Sequence, residues 1–421
     1  MSATILVIGL MVFFAHFLSL LFSKTNIPDV LVLMLVGIII GPILSITTPD
    51  DFGKIGSLIA TIALVVILFE SGTSLNLSTL QESLATTGVL TFWCFSLTTI
   101  IVIFFGLYTL NLAWLPATIL GFTLGGTSSS VVIPMVAALR LSEKSATVLI
   151  LESALTDVLC IVGVFALLQI YTQGGVDPGR LLGGVLAALV FAAAIGLLGG
   201  IGWLLVLGKV RGFPNTISST LAYVFIIYGL TEMLGFSGAI AALALGISLT
   251  NYQKLGLRHI QQLDRNIEPL NETDIVFYRE AVFLLKTYFF VYLGISIHFS
   301  DSLVTIVAVA MVLLVFAVRI FLTRFIFRDP SYSLRDASIT SMMAPKGLAA
   351  AVLAALPLQY GVAGGEIIRD TTYMVVLVSI TLTAILVMIT PMPKIQRLYI
   401  WALNKPAATN DNGVGPKSEA Q

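Results

Sequence analysis

Two carboxylates, Glu152 and Asp157, lie in the run L-E-S-A-L-T-D-V-L-C (Leu151 to Cys160), which is otherwise apolar enough to cross a bilayer. An ionisable group at a membrane helix centre costs about 3 kcal/mol or more, so it is normally present for a task. On a helix, Ser153 and Asp157 are four apart and share a face, while Glu152 and Thr156 share the adjacent one. The first face offers a carboxylate and a hydroxyl to a cation, and the second can lock its carboxylate into a structural contact. Hard alkali cations take oxygen ligands. Asp157, Ser153 and the hydroxyl or backbone oxygens from Thr127 to Ser129, Thr127 and Ser128 foremost, make such a set. The competing reading of Asp157 is a buried structural ion pair. For single serines and threonines it is helix packing or back-bonding to the preceding turn.

These residues need non-helical backbone beside them, and the chain supplies it. Gly125, Gly126, Thr127, Ser128, Ser129, Ser130 and Pro134 interrupt one apolar run, and Ala344-Pro345-Lys346-Gly347 interrupt another. Irregular backbone at membrane depth is tolerated where it lines a cavity or is packed in protein, and interrupted helices beside a carboxylate build ion sites in secondary transporters. Glu70, late in its own apolar run, is a further site oxygen or a funnel carboxylate; an interfacial, water-reaching position is the plainer alternative. Arg319 in V-F-A-V-R-I-F-L needs an acidic partner, and Glu152 is the first choice. Lys346 is placed to offset half-helix dipole ends or to hold an anion. Lys286 is read as a side chain that snorkels to the interface.

The scaffold is membrane-spanning. Hydrophobic residues make up 57% of the chain and charged residues 10%, with mean hydropathy +1.01, against about a quarter charged in soluble domains. At about 20 residues per crossing, thirteen helices are expected, over 3–22, 28–46, 55–72, 86–110, 114–140, 144–171, 180–207, 216–233, 236–252, 278–297, 302–328, 334–358 and 371–398. The fold class is therefore an all-α polytopic membrane protein. The first stretch lacks a basic n-region and is read as a retained helix. With the N-terminus outside, sixteen Lys and Arg fall inside and three outside, the asymmetry expected of cytoplasmic loops. An amphipathic linker helix on the cytoplasmic face is expected near 253–268 and a disordered tail over 401–421, after a membrane domain filling 1–400.

Internal similarity points to two repeats, roughly 28–171 and 236–398. L-F-E-S-G-T-S-L-N-L-S (Leu68 to Ser78) and F-V-Y-L-G-I-S-I-H-F-S (Phe290 to Ser300) align at an offset of 222 residues, which also carries Gly126 onto Leu348 beside the second interruption. An odd number of crossings separates the members of each pair, so the repeats would be inverted in the membrane.

At these residues the chain resembles the monovalent cation/proton antiporter (sodium/proton exchanger) superfamily, nearest its NhaP- and NapA-like branches, with the inverted-repeat fold shared by NhaA. E-S-A-L-T-D (Glu152 to Asp157) is similar to the family's E-S-x-x-N-D, and the 29 residues from Ser128 to Asp157 match the step from its T-D-P motif. The resemblance implies that Asp157 carries the ion and the proton, that Ser153 and Thr127 are site oxygens, and that Glu70 is the third-helix acid. It also implies a structural ion pair between Glu152 and Arg319, and a homodimer. Two departures stand out. Thr156 replaces the family's Asn or Asp, and Ser128-Ser129 replace Asp-Pro, a pattern nearer the Kef-type potassium/proton branch.

The expected function is Na⁺/H⁺ exchange by alternating access, electroneutral, with cation and proton competing for Asp157, in the inner membrane with a cytoplasmic C-terminus. K⁺/H⁺ exchange is the alternative; a cation channel and an organic-anion symporter are rivals of other classes. No enzyme chemistry and no cofactor are expected. A formal net charge of zero gives no reason for nucleic-acid binding, no phosphate-binding loop appears, and Cys94 and Cys160 read as small buried hydrophobes.

Overall fold

The structure, a computed structural model, describes residues 28–74, 77–173, 178–210, 218–253, 272–299, 302–329 and 332–405, with isolated positions 9, 13, 16 and 17 before them. The expected first helix over 3–22, nearly all of the linker helix near 253–268 and the tail beyond 405 lie outside the described residues, which are helical throughout their regular parts.

In chain order the helices are α1 (Asp29–Ile38), α2 (Gly53–Ser74), α3 (Leu77–Tyr108), α4 (Trp114–Leu124), α5 (Ser129–Leu139), α6 (Glu143–Gln173), α7 (Pro178–Val210) and α8 (Ser219–Met233). They continue as α9 (Gly238–Thr250), α10 (Glu272–Ile295), α11 (Ser302–Ile326), α12 (Leu334–Met342), α13 (Leu348–Gln359), α14 (Gly365–Ile389) and α15 (Pro393–Leu403). Among the described residues six stretches are long and apolar enough to cross a membrane: Thr86–Tyr108, Trp114–Val136, Glu143–Thr172, Val190–Leu207, Ser302–Ile326 and Gly365–Ile389. Large apolar side chains such as Ile100, Phe104, Leu313 and Phe321 lie exposed on their outer faces, as a lipid-facing surface requires. This is a multi-pass membrane protein.

Several boundaries differ from the sequence reading, each for a local reason. The stretch expected as one crossing over 371–398 is two helices. α14 begins earlier, at Gly365, behind Gly364 in the left-handed conformation (φ 81°). It ends before the Pro391–Pro393 pair, with Pro393 opening α15, the position where a missing N–H costs nothing. α15 runs to Leu403, so the tail expected from 401 begins later. The turn between α8 and α9 is real: Gly235 takes φ +82°, the Ser237 side chain accepts from the Ile240 N–H, and the Gly238 N–H donates to Glu232 Oε1 at 2.7 Å.

The helices pack as two bundles. α1, α2, α8, α9 and α10 pack mainly on one another, with α7 along α9. α3, α4, α5, α6, α11, α12, α13 and α14 form the other, and the two meet sparingly, chiefly where α13 and α14 approach α1, α2 and α10. Backbone contact at two crossings holds the first bundle. A Cβ at Gly294 would lie 2.2 Å from the Met34 carbonyl and one at Gly37 2.2 Å from that of Val291. Likewise a Cβ at Gly246 would lie 2.3 Å from the Phe69 carbonyl and one at Gly72 2.3 Å from that of Leu243. Lipid tails are as apolar as leucine, so close backbone packing of this kind is a main source of helix association in a bilayer.

Candidate functional site

The second bundle is built around the crossing of two interrupted helices. α4 stops at Leu124 and α5 starts at Ser129, while α12 stops at Met342 and α13 starts at Leu348. The freed backbone groups find partners across the crossing. The Ser128 N–H donates to the Pro345 carbonyl at 2.8 Å, and the Lys346 ammonium donates to the Gly126 carbonyl at 2.7 Å. The Lys346 N–H in turn donates to Ser379 Oγ on α14 at 2.9 Å. Lys346 is 3% exposed, so its charge sits where the four half-helix ends converge. No carboxylate among the described residues forms an ion pair with it.

α6 runs past this crossing with its polar residues turned inward. Asp157 is buried, and Ser129 Oγ, at the first turn of α5, donates to its Oδ2 at 2.6 Å. Thr156 Oγ1 accepts the Thr127 N–H at 3.1 Å, lies 3.4 Å from Thr127 Oγ1, and donates to the Ser153 carbonyl at 3.1 Å. The Ser153 hydroxyl donates to the Ile150 carbonyl at 2.9 Å, so its proton stays within its own helix. Ser128 Oγ lies 2.9 Å from Ser130 Oγ. The structure thus brings Thr127, Thr156, Ser129 and Asp157 into one polar seam, with Ser153 back-bonded and Ser128 turned to Ser130. The sequence offers oxygens from Thr127 to Ser129, with Thr127 and Ser128 foremost; the hydroxyl that reaches Asp157 belongs to Ser129.

Glu152 faces the other way. Arg319 on α11 donates from Nη1 to Glu152 Oε1 at 2.6 Å and from Nη2 to Oε2 at 2.7 Å, with its Nε to the Thr340 carbonyl at 2.9 Å. This bidentate pair is fully buried and joins α6, α11 and the end of α12. A planar guanidinium fork matches a carboxylate in this way, and an ammonium does not.

Two cavities lie between the bundles. One, of about 250 Å³, has Ile67, Glu70, Arg279 and Lys286 on the first bundle and Ser129, Ser130 and Pro134 on the second. It reaches Ser129, the residue whose hydroxyl holds Asp157, and it brings Glu70 to the same space. The other, of about 320 Å³, lies toward the opposite end of α6, between Phe165, Gln169 and Tyr360 on one side and Glu232, Phe236 and Ser237 on the other. Among the described residues no cluster of His, Cys, Asp and Glu has the makings of a transition-metal site.

Comparison with known proteins places the chain in a family. The sequence profile of the sodium/hydrogen exchanger transmembrane family fits residues 10–390. The chain belongs to that family. It is a transporter family, so the chain is not an enzyme. The exchanger-family relatives include a K⁺/H⁺ antiporter, NhaP2, of Shewanella sp. (strain MR-4), 25% identical over 382 residues that cover 86% of this chain and 62% of the relative. A Na⁺/H⁺ antiporter, NhaS2, of Synechocystis sp. is 27% identical over 297 residues, 70% of this chain and 52% of that protein. The chain therefore spans less than two thirds of the length of these relatives. Among solved structures, the sodium proton antiporter MjNhaP1 of Methanocaldococcus jannaschii at pH 8 superposes with a TM-score of 0.71 at 22% identity, over 91% of this chain and 99% of that one. This likeness establishes the fold.

Proposed function

We propose that this chain is a secondary active monovalent cation/proton antiporter in which the cation and the proton compete for Asp157. The observation that carries the reading is the buried Asp157 carboxylate, held by Ser129 at the end of a cavity between two helix bundles. Deprotonated, Asp157 offers a cation one negative charge and two oxygens, with the Ser129 and Thr127 hydroxyls and Thr156 beside it. Protonated, it loses that charge, and the cation loses its main ligand. One carboxylate in one seam makes the two cargoes exclusive. The second cavity, at the other end of α6, lies between the same two bundles. A small sliding of one bundle on the other would close the first cavity and open the second, the usual form of alternating access.

The finer reading follows the same logic. Thirteen crossings in two inverted repeats are supported by the paired interruptions and by the glycine crossings. If α2 corresponds to α10 and α1 to α9, the Gly72–Gly246 contact and the Gly294–Gly37 contact exchange places. A homodimer, an inner-membrane location and a cytoplasmic C-terminus complete the proposal. Na⁺ is the first choice of cation. K⁺ is the second, favoured by the name carried by the NhaP2 relatives and by the loss of an acidic residue at Ser128. The test is proton flux in proteoliposomes driven in turn by Na⁺, K⁺ and Li⁺, for the natural protein and for Asp157→Asn. Exchange with one alkali ion, abolished in a variant that still folds, is expected. Flux that persists in Asp157→Asn removes the carboxylate from the mechanism.

A further inference from the structure

The cavity that ends at Ser129 is lined by more positive than negative charge. Arg279 and Lys286 stand two turns apart on α10, and Glu70 is the one carboxylate among its lining residues. Lys286 does not behave as a side chain reaching for the membrane surface. It is only 13% exposed, and its Nζ lies 3.7 Å from Asp29 Oδ2 at the start of α1. The wall opposite is the first two turns of α5, with Ser129, Ser130, Ile133 and Pro134, and brings no charge. A pathway to a cation site is thus bordered by two cations that share it with Glu70, one of them also partly offset from behind by Asp29.

We propose that Arg279 and Lys286 form a charge filter on this cavity, weakening cation uptake from that side and excluding divalent cations more strongly than monovalent ones, with Asp29 setting its strength. The inference rests on the antiport reading above. Its physics is elementary. The work of bringing a cation past a fixed positive potential scales with the cation's charge. Whatever factor the filter imposes on a monovalent ion is therefore squared for a divalent one. A narrow cavity with low-dielectric walls focuses that potential. Glu70 and Asp157 alone would favour divalent ions, since two carboxylates near one path suit Mg²⁺ or Ca²⁺ better than Na⁺. The basic pair counteracts that preference without touching the site oxygens.

The experiment uses the whole chain in membrane vesicles of both orientations, with cation-dependent proton flux as readout and Mg²⁺ as competitor. Arg279→Gln and Lys286→Gln are each expected to lower the KM for the transported alkali ion about threefold and the inhibition constant for Mg²⁺ about ninefold, from the side this cavity opens to. Raising ionic strength with an impermeant salt should shrink both effects. Asp29→Asn should shift both constants the opposite way. Lys286→Arg, which keeps the charge, should behave as the natural protein. Unchanged constants in both glutamine variants with flux intact, or a Mg²⁺ shift no larger than the alkali-ion shift, overturn the filter alone. Absence of alkali-dependent flux in the natural protein overturns the antiport reading and the filter with it.

Discussion

The ammonium of Lys346 donates to the carbonyl of Gly126 across 2.7 Å, so a side chain from one interrupted helix completes the backbone of the other. Both partners are buried, and a donor removed here leaves a carbonyl that neither water nor lipid can satisfy. Lys346→Met should therefore lower stability by about 1–3 kcal/mol. Thermal unfolding in detergent reads it, and an unchanged midpoint would show that the crossing holds without this contact.

Arg319→Ala should cost more. It strands Glu152 in the core, a change worth about 3–5 kcal/mol when one partner of a buried pair is lost. Arg319→Met combined with Glu152→Leu should recover much of that, because no charge is then left unpaired. The comparison of the single and double variants in the same thermal assay separates a structural pair from a transport residue. A single variant as stable as the natural protein would sink the pairing.

The glycine crossings give a prediction about shape alone. Gly294→Ala puts a Cβ about where the Met34 carbonyl already is, and the helices must part. Overpacking of this kind costs about 1–3 kcal/mol. Gly229→Ala, where nothing lies within 4 Å, should stay within about 0.5 kcal/mol of the natural protein. Equal midpoints for the two variants would mean that α1 and α10 do not rely on backbone contact.

Exchange should be electroneutral. Thr156 carries no charge, and both oxygens of Glu152 are held by Arg319, so on the antiport proposal Asp157 alone would trade one proton for one cation. Net charge movement would couple transport to voltage by about 2.3 kcal/mol per 100 mV. Cation/proton exchange in liposomes clamped at several potentials should reverse at the same ion gradients each time. A reversal point that moves with voltage would bring Glu70, in the same cavity as Ser129, into the proton count.

The two interruptions were legible because runs of Gly, Ser and Pro inside apolar stretches leave few other readings. Lone charges at Glu152 and Arg319 were equally conspicuous, since neither can stay unpaired in hydrocarbon. What could not be read was which of three consecutive hydroxyl residues, Thr127, Ser128 or Ser129, turns toward Asp157. Residue type sets which groups are present, but the direction of non-helical backbone is set by the Ser128–Pro345 hydrogen bond, formed with a distant part of the chain. The start of α14 was hidden for a different reason. Glu366, Arg369 and Asp370 make its first turns look like a loop, and only the left-handed Gly364 before them marks a helix boundary.

The pairing of Gly126 with Lys346 spans 220 residues of chain, and that separation bears on how the protein is made. The first interruption enters the bilayer while the residue that completes it has yet to be translated. Until then the exposed N–H of Ser128 and carbonyl of Gly126 face an environment that cannot solvate them. The early half must keep this open seam sheltered, by water, by the insertion machinery or by transient partners, until the last crossings arrive. A ribosome stalled just before Pro345 would hold a chain with most of its helices but without its centre. The order of synthesis leaves the crossing of the two interrupted helices open until the second of them arrives.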